Sequence, residues 1–230
     1  MDIEEILNLG TYPIDDSGTP GGQALIDRCR ADLRKNLYCS IPDFVSPQAL
    51  AFMAEEVTGL KAEAYHNHSL RNCYLHQSKD TALPQDHALN LQDRSSVRMI
   101  AYDQLIEASP LKTFYQSKIV QELVAGIVGE GPLYPNIDAY QPANYVYYEN
   151  GDESSWHFDS DNSFTMTLMI QPADHGGIFQ MSANTRSASS ENYQQVRDVL
   201  LGRREDTIVS IDREPGALCI FKGCHSLHRV

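Results

Sequence analysis

Two residues at the centre of this chain have the types and spacing of metal ligands. His157 and Asp159 stand two apart in the stretch Trp156-His157-Phe158-Asp159. Because side chains alternate along an extended segment, this imidazole and this carboxylate would project from the same face. A second imidazole would complete a set that binds Fe(II) on one face and leaves three positions open for O₂ chemistry. The pair therefore predicts two of the three ligands of a non-haem iron centre.

Two histidines near the end of the sequence compete for the third ligand position. His225 follows Gly223-Cys224 and is expected in a turn. His228 lies at the start of an apparent strand, next to Leu227, where apolar neighbours can fix its orientation. We therefore favour His228, although turn and strand histidines with no metal role are an ordinary alternative.

A second histidine pair, His66 and His68, has the same spacing of two. No carboxylate or cysteine follows the pair at a recognisable metal-site spacing. The sequence therefore favours ordinary loop histidines over a second metal site.

Composition excludes several classes of protein. Eighteen Lys and Arg residues against 31 Asp and Glu residues give a net charge of −13, which disfavours nucleic acid and anionic membranes as partners. The five cysteines are odd in number and show no Cys-x-x-Cys, which predicts a reducing cytoplasm. No apolar run is long enough to span a bilayer. The predicted partner is a small-molecule substrate, and a homodimer is left open.

The order of periodic segments predicts the fold class. Apolar residues recur at helical spacing within residues 23–37 and between Ser117 and Gly129. They do so again after the helix-start signals Ser46-Pro47 and Ser189-Ser190. Alternating β-rich segments dominate the second half. The predicted strands are 96–102, 145–148, 165–170, 176–181, 207–211, 217–221 and a segment from about 226. This order predicts a mainly β domain with an α-helical N-terminal layer, arranged as a double-sheet barrel.

We predict one domain over residues 1–230. Residues 1–130 would form a mostly helical support and lid region, and residues 131–230 a β core that carries the metal site. No linker separates two units.

The flanking context resembles the 2-oxoglutarate/Fe(II)-dependent dioxygenases. The resemblance rests on 144–177, which contains Trp-His-Phe-Asp and Gly-Gly, and on Pro-Gly-Ala-Leu-Cys-Ile-Phe-Lys-Gly at 215–223, which runs into Ser-Leu-His-Arg-Val. The segments 184–187 and 191–202 look like the branch of free-amino-acid radical halogenases and their hydroxylase relatives. The resemblance implies a double-stranded β-helix (a jelly roll, cupin-like), with His157, Asp159 and His228 as iron ligands.

The resemblance also implies cofactors and a reaction. Fe(II), 2-oxoglutarate and O₂ would be used, 2-oxoglutarate would become succinate and CO₂, and an unactivated C–H bond would be hydroxylated. Halogenase relatives have a small residue where Asp159 stands, so its carboxylate predicts hydroxylation. The implied substrate is small and polar, with free amino acids and their derivatives favoured.

The sequence also suggests residues that would contact the co-substrate and the substrate. Relatives hold the far carboxylate of 2-oxoglutarate with a cation after the distal histidine, but this chain ends two residues after His228. We therefore expect a further strand bearing an Arg, or another cation such as Arg94, Arg98 or Arg186. The predicted co-substrate contacts are Asn144, Tyr147, Tyr148 and Arg186. The predicted substrate contacts are Trp156, Asp161 and Arg98. Core packing is the alternative for Trp156 and the tyrosines.

Two other functions stay open from the sequence. The first is a cupin-type metal enzyme that does not use 2-oxoglutarate, although the usual His-x-His-then-Glu spacing is missing. The second is a non-catalytic jelly-roll binding module.

Overall fold

The computed structural model describes residues 1–15, 18–160 and 164–230. Within these ranges the chain forms six α-helices and nine strands. The helices are α1 (Ile3–Ile6), α2 (Pro20–Asn36), α3 (Pro47–Leu60), α4 (Pro110–Gln116), α5 (Lys118–Val128) and α6 (Tyr193–Leu200). The strands are β1 (Tyr38–Ile41), β2 (Tyr65–Asn72), β3 (Gln92–Ile100), β4 (Tyr145–Tyr147), β5 (Thr165–Leu168), β6 (Phe179–Ser182), β7 (Ile208–Ile211), β8 (Leu218–Phe221) and β9 (Leu227–Arg229).

The N-terminal helices support one of the sheets. The Thr19 hydroxyl accepts a hydrogen bond from the Gly22 N–H at 3.2 Å, and Pro20 takes the first helical position, where no N–H is needed. The helix ends where Leu37 adopts a left-handed conformation with φ 61°. α2 packs on α5 and β1. A shared core results, which includes Leu25, Ile26, Cys29, Leu33, Cys39, Val120, Leu123, Val124, Ile127, Leu218 and Ile220.

Two antiparallel sheets face each other across a second core. Their strand orders are β1-β8-β5 and β7-β6-β9. Side chains from β6, β7 and β8 fill the space between them: Phe179, Met181, Ile211, Cys219 and Phe221. Residues 154–157 extend the second sheet beyond β9. Ser154 exchanges backbone hydrogen bonds with Val230, and His157 exchanges them with His228. This pairing brings two distant parts of the chain to one place.

The third sheet, β2-β3-β4, joins the second sheet through a bridge between Ser96 and Glu153. The turn before this bridge is organised by Asp152. Its carboxylate accepts hydrogen bonds from the Ser96 hydroxyl, from Arg98 Nε at 2.8 Å and from the Glu149 N–H at 2.9 Å. Burial raises the pKa of Asp152, but these hydrogen bonds lower it by more, so the net shift is downward. The ionised carboxylate therefore fixes the turn that leads into residues 154–159.

The strands after residue 144 were predictable, and so was β3, which overlaps the predicted strand 96–102. Each predicted strand after residue 144 corresponds to one of β4–β9, and the helices that follow Ser46 and Ser117 are present. The predicted Ser189-Ser190 helix start is wrong, because α6 begins at Tyr193 with Asn192 at its N-cap. β1 and β2 were not predicted. The strands are short, and the described helices hold more residues than the described strands.

The structure tests the other predictions about the whole chain only in part. The five cysteine thiols are all buried and form no disulfide. Across the described ranges, no helix combines the length and apolar character that crossing a bilayer requires. Cytoplasmic location, a homodimer and the division near residue 130 stay predictions.

Candidate metal centre

The two faces of residues 156–159 have different surroundings. Trp156 and Phe158 point to a buried apolar cluster with Cys73, Val196 and Val199. His157 and Asp159 alternate with them and project to the opposite side, toward His228. The alternation expected from an extended segment is therefore present, and it puts both candidate ligands on one face.

Three ligand atoms converge on a single point. Nε2 of His228 lies 3.3 Å from Oδ1 of Asp159, and Nε2 of His157 lies 3.9 Å from the same oxygen. The two imidazole ring centroids are 4.2 Å apart. All three candidate ligand atoms lie within 4.8 Å of one another. Within the described ranges this is the one group of three or more His, Cys, Asp or Glu residues that could hold a metal ion.

Backbone carbonyls fix both imidazoles in the form that a metal needs. Nδ1 of His157 donates to the Ser155 carbonyl at 2.8 Å, and Nδ1 of His228 donates to the Ser226 carbonyl at 3.0 Å. A carbonyl oxygen only accepts, so the ring proton sits on Nδ1 and the lone pair of each Nε2 faces the centre. This is the usual outer support of a histidine ligand.

The carboxylate of Asp159 is held from two sides. Oδ2 accepts a hydrogen bond from the Thr165 hydroxyl on β5, and the Asp159 N–H donates to the Gly223 carbonyl at 3.2 Å. Gly223 also leaves room for the ligand. A Cβ at this position would lie 1.9 Å from Oδ2 of Asp159 and 3.0 Å from Cε1 of His228. The carboxylate can adopt its position only because residue 223 has no side chain.

Electrostatics keep His157 and Asp159 in their metal-binding protonation states. Burial and the neighbouring His228 ring lower the pKa of His157 to about 4, so its imidazole is neutral near pH 7. Burial raises the pKa of Asp159, but the neighbouring His228 ring and the hydrogen bond from the Thr165 hydroxyl lower it by more, so the carboxyl is ionised. Two imidazoles and one carboxylate are the donor set that suits Fe(II), and the residues present therefore fit that metal.

Aromatic rings border the centre on the side of His228. The Phe221 ring centroid is 5.1 Å from that of His228, and the Phe179 centroid is 5.8 Å away. His228 retains only 5% of its side-chain exposure, whereas His157 retains 16% and Asp159 retains 19%. Phe221 and Phe179 thus wall the centre from β8 and β6, and among the described residues its remaining exposure is at His157 and Asp159.

Two of the predicted substrate residues, Trp156 and Arg98, make their contacts elsewhere. Trp156 is buried in the apolar cluster, with 7% of its surface exposed. The guanidinium carbon of Arg229 lies 4.6 Å from the centroid of the Trp156 ring. Arg98 pairs with Asp152 and, at 3.1 Å, with Glu149. These contacts do not test the substrate roles that the sequence predicts for Trp156 and Arg98. Asp161, the third predicted substrate residue, lies outside the described residues.

Arg186 is held by other parts of the protein. Its Nε donates to the Cys224 carbonyl at 2.6 Å, its Nη1 pairs with Glu191 at 3.2 Å, and its guanidinium lies 4.3 Å over the Phe158 ring. Phe158 is on the face opposite to the ligands, so these contacts direct the guanidinium away from the centre.

The remaining predicted co-substrate contacts lie on or beside β4. Asn144 precedes the strand and contacts Gln141. The Tyr147 hydroxyl donates to the Lys61 carbonyl at 3.3 Å. Burial raises the pKa of Tyr148, whereas Arg213, a hydrogen bond with Ser154 and Arg71 lower it.

Several residues of the centre were not found from the sequence. Thr165 and Gly223 support Asp159, and Phe179 and Phe221 border His228. The one available signal was Gly223 itself, which stands between a strand and a turn close to the distal histidine. Nothing in the local pattern distinguished Thr165 from other strand threonines.

Solved structures of other proteins share this fold. A prolyl hydroxylase from Trichoplax adhaerens, in complex with a hypoxia inducible factor oxygen degradation domain peptide fragment, matches with a TM-score of 0.53 and 15% identity over 90% of this chain and 84% of that one. A prolyl-4-hydroxylase from Pseudomonas putida matches with a TM-score of 0.53 and 12% identity over 90% and 91%. The non-heme alpha ketoglutarate dependent epimerase SnoN from nogalamycin biosynthesis matches with a TM-score of 0.54 and 11% identity over 90% and 74%.

The sequence itself matches a family model. No curated protein matches the chain. The model described as Halogenase D matches residues 22–230, which include both histidines and the carboxylate of the centre. The predicted membership of the 2-oxoglutarate/Fe(II) oxygenases is confirmed by this match and by the shared fold. The chain belongs to the Halogenase D family.

Proposed function

We propose that the protein is an Fe(II)- and 2-oxoglutarate-dependent oxygenase that hydroxylates an unactivated C–H bond. The observation that carries the proposal is the convergence of Nε2 of His157, Nε2 of His228 and Oδ1 of Asp159, with separations of 3.3 and 3.9 Å to the carboxylate oxygen. The family match, and the structural likeness to a non-heme alpha ketoglutarate dependent epimerase, support Fe(II), 2-oxoglutarate and O₂ as the reactants. Under this proposal the two facing sheets and residues 154–157 form a double-stranded β-helix.

The residues of the chain would hold and shield the reacting groups. When bound, Fe(II) with 2-oxoglutarate and O₂ supplies the oxidising power that an unactivated C–H bond demands. His157, His228 and Asp159 would occupy one face of the metal and leave the opposite positions to small molecules. Phe179 and Phe221 exclude water on the side of His228. The Ser155 and Ser226 carbonyls, with Thr165, keep the ligands from rotating.

Hydroxylation is proposed over halogenation because of Asp159. Its carboxylate stands in the third ligand position, is ionised and is hydrogen-bonded to Thr165. Halogenase relatives have a small residue there, which leaves room for chloride. The description Halogenase D names a family and gives no reaction for this chain. A ligand carboxylate in that corner of the site favours transfer of oxygen to the substrate.

Free amino acids and their derivatives are the proposed substrate class. The support is the resemblance of residues 184–187 and 191–202 to the amino-acid branch, together with the match to Halogenase D. The centre is accessible from the side of residues 157 and 159, where a small polar molecule could approach. Trp156, Asp161 and Arg98 remain proposed substrate contacts, and Asn144, Tyr147, Tyr148 and Arg186 remain proposed co-substrate contacts.

The test is a reaction with defined components. The protein is mixed anaerobically with Fe(II) and 2-oxoglutarate and examined for a visible charge-transfer band. It is then exposed to air with an amino-acid library and chloride. We expect the band, succinate and a product heavier by one oxygen atom. His157→Ala should abolish all three.

Each other outcome has its own meaning. A chlorinated product would overturn hydroxylation and keep the oxygenase class. O₂ consumption that does not depend on 2-oxoglutarate would support a cupin-type enzyme. Absence of metal affinity would support a non-catalytic module.

A further inference from the structure

A groove with three basic side chains lies where α2, α5 and the residue after β8 meet. Its volume is about 360 Å³. Small-molecule sites range from about 300 to 1,000 Å³, so the groove is large enough for a small ligand. Arg30 and Arg34 of α2 and Lys222, which follows β8, supply the charges. The apolar residues that line the groove are Leu33, Ile127 and Val128. None of these residues belongs to the metal centre.

The three elements around this basic groove are fixed to one another. The Lys222 N–H donates to the Leu37 carbonyl at 2.9 Å, which ties the end of β8 to the end of α2. Gly126 allows α5 to approach α2, because a Cβ there would lie 2.9–3.3 Å from side-chain atoms of Ile26. Arg30 joins the two helices, since its Nε donates to the Gly126 carbonyl at 3.0 Å and its Nη2 donates to the same oxygen. The groove is therefore preformed.

The basic side chains of the groove keep unused hydrogen-bond donors. A guanidinium has five N–H donors, and Arg30 uses two of them on the Gly126 carbonyl. Arg34 and Lys222 form no side-chain hydrogen bond or ion pair with any residue that the structure describes. Acidic residues outnumber basic ones by 31 to 18 in this chain, yet no described acid pairs with these three. Their charges are therefore available to a ligand.

Helix ends account for only part of this basic cluster. α2 and α5 both end at the groove, and the C-terminus of a helix carries about −0.5 of a charge, which attracts cations. Two such ends contribute about −1 against three full positive charges, so an excess of about two positive charges remains. Glu130, just past α5, is exposed and forms no ion pair with the three within the described ranges.

We propose that the basic groove binds the phosphate group of a small molecule. A phosphate monoester carries about −1.5 to −2 charges at pH 7, which matches the excess of about two positive charges, whereas a single carboxylate would neutralise about half of it. Guanidinium and ammonium groups are both common ligands of phosphate. Leu33, Ile127 and Val128 would contact the organic part of the ligand. The site does not depend on the proposed function, since it involves no ligand of the metal centre.

The experiment measures binding of inorganic phosphate and of phenyl phosphate to the full chain by calorimetry. The protein is freed of metal and dialysed, so that phosphate cannot bind through a metal ion, and the ionic strength is held constant. We expect both probes to bind wild-type protein. Arg34→Gln and Lys222→Gln should each weaken binding by about tenfold or more, because each removes a charge-assisted hydrogen bond.

Lys35→Gln is the matched control. Lys35 is the neighbour of Arg34 in the last turn of α2, carries the same charge and does not line the groove. Its replacement should change phosphate affinity by less than about twofold. Equal weakening by Lys35→Gln and Arg34→Gln would mean that phosphate is attracted by the general charge of the helix end, which overturns the proposal.

A second measurement separates loss of the site from loss of the fold. Mn(II) affinity of the metal centre should be the same in wild type, Arg34→Gln and Lys222→Gln. If Lys222→Gln lowers Mn(II) affinity, the exposed Arg34 alone decides, since its replacement leaves the fold intact.

The two probes distinguish the source of the phosphate group. Tighter binding of phenyl phosphate than of inorganic phosphate would support an organic ester that contacts the apolar residues. Equal binding would support the site and assign it to the free phosphate ion. Absence of binding of either probe to wild-type protein at about 10 mM would overturn the proposal.

Discussion

Two histidine pairs lie beside a carboxylate in this molecule, and only one is arranged for a metal. The His66 and His68 rings are 3.8 Å apart and the His157 and His228 rings 4.2 Å apart. His66 Nε2 is 3.4 Å from Asp152, much as His228 Nε2 is 3.3 Å from Asp159. Proximity of imidazoles and a carboxylate therefore does not separate the two clusters.

The difference is in how the ring nitrogens and carboxylate oxygens are used. His68 Nε2 contacts His66 Nδ1 at 3.2 Å, and His66 Nε2 contacts the Ser96 hydroxyl at 2.9 Å. Asp152 is occupied by Arg98, Ser96 and a backbone N–H. In the other pair, backbone carbonyls hold the Nδ1 atoms from behind. A metal site requires that all competing hydrogen bonds lie on the side away from the metal.

The largest expected effect separates the two pairs directly. We expect His157→Ala to reduce Mn(II) affinity by at least about 100-fold, because a ligand is removed. His66→Ala should leave the affinity unchanged, since that ring contacts Ser96. Calorimetric titration of both variants measures the contrast. Equal losses in the two would mean that the pairs do not differ as described.

Gly223→Ala is expected to have the next largest effect. Its Cβ would overlap Oδ2 of Asp159 and displace the carboxylate. Mn(II) affinity should fall by about 10–100-fold. The matched control is Gly59→Ala, where an added Cβ has no heavy atom within 4 Å. An unchanged affinity in Gly223→Ala would show that the carboxylate can be held in another position.

Asp152→Asn tests the carboxylate of the other pair. Loss of its charge-assisted hydrogen bonds should lower the free energy of unfolding by about 1–3 kcal/mol at pH 7. The folded-state pKa of Asp152 is below its unfolded value of about 3.9, so its contribution is present above that pH and is lost as the pH falls toward the folded-state pKa. Urea unfolding from pH 7 to pH 3 should show a smaller acid loss in the variant. Mn(II) affinity should be unaffected.

The smallest expected effect is that of Thr165→Val. It removes the hydrogen bond to Oδ2 of Asp159 and keeps the size and shape of the side chain. Mn(II) affinity should fall by about tenfold, as for other outer supports of a ligand. Ser96→Ala is the corresponding change beside His66 and should not alter Mn(II) affinity. If Thr165→Val binds Mn(II) as tightly as wild type, the hydroxyl has no role in holding the ligand.

The sequence predicted the parts of this molecule that depend on local pattern. His157 and Asp159 share a face because side chains alternate along an extended segment. The Pro-Gly turn at 215–216 indicated that a strand follows, and β8 begins there. The choice of His228 over His225 followed from the position of each relative to a strand. The helix starts at Ser46 and Ser117 also followed from local signals.

What the sequence did not predict depends on contacts between distant segments. β1 is a strand because it pairs with β8, and the stretch Tyr-Cys-Ser-Ile alone carries little signal. The partner of His66, Asp152, is far away in sequence and meets it only through the bridge between Ser96 and Glu153.

The backbone pairing of His157 with His228 has a consequence for folding. These residues exchange hydrogen bonds of 3.0 and 3.1 Å across an interval that contains β5 to β8 and α6. A metal ion held by both would act as a cross-link that closes this long loop, much as a disulfide does. Binding free energy would then appear as thermal stability that depends on metal concentration. A metal ion bound there would therefore stabilise the fold as well as take part in the reaction. Removing it with a chelator would loosen β9 and residues 154–157 before the helical layer.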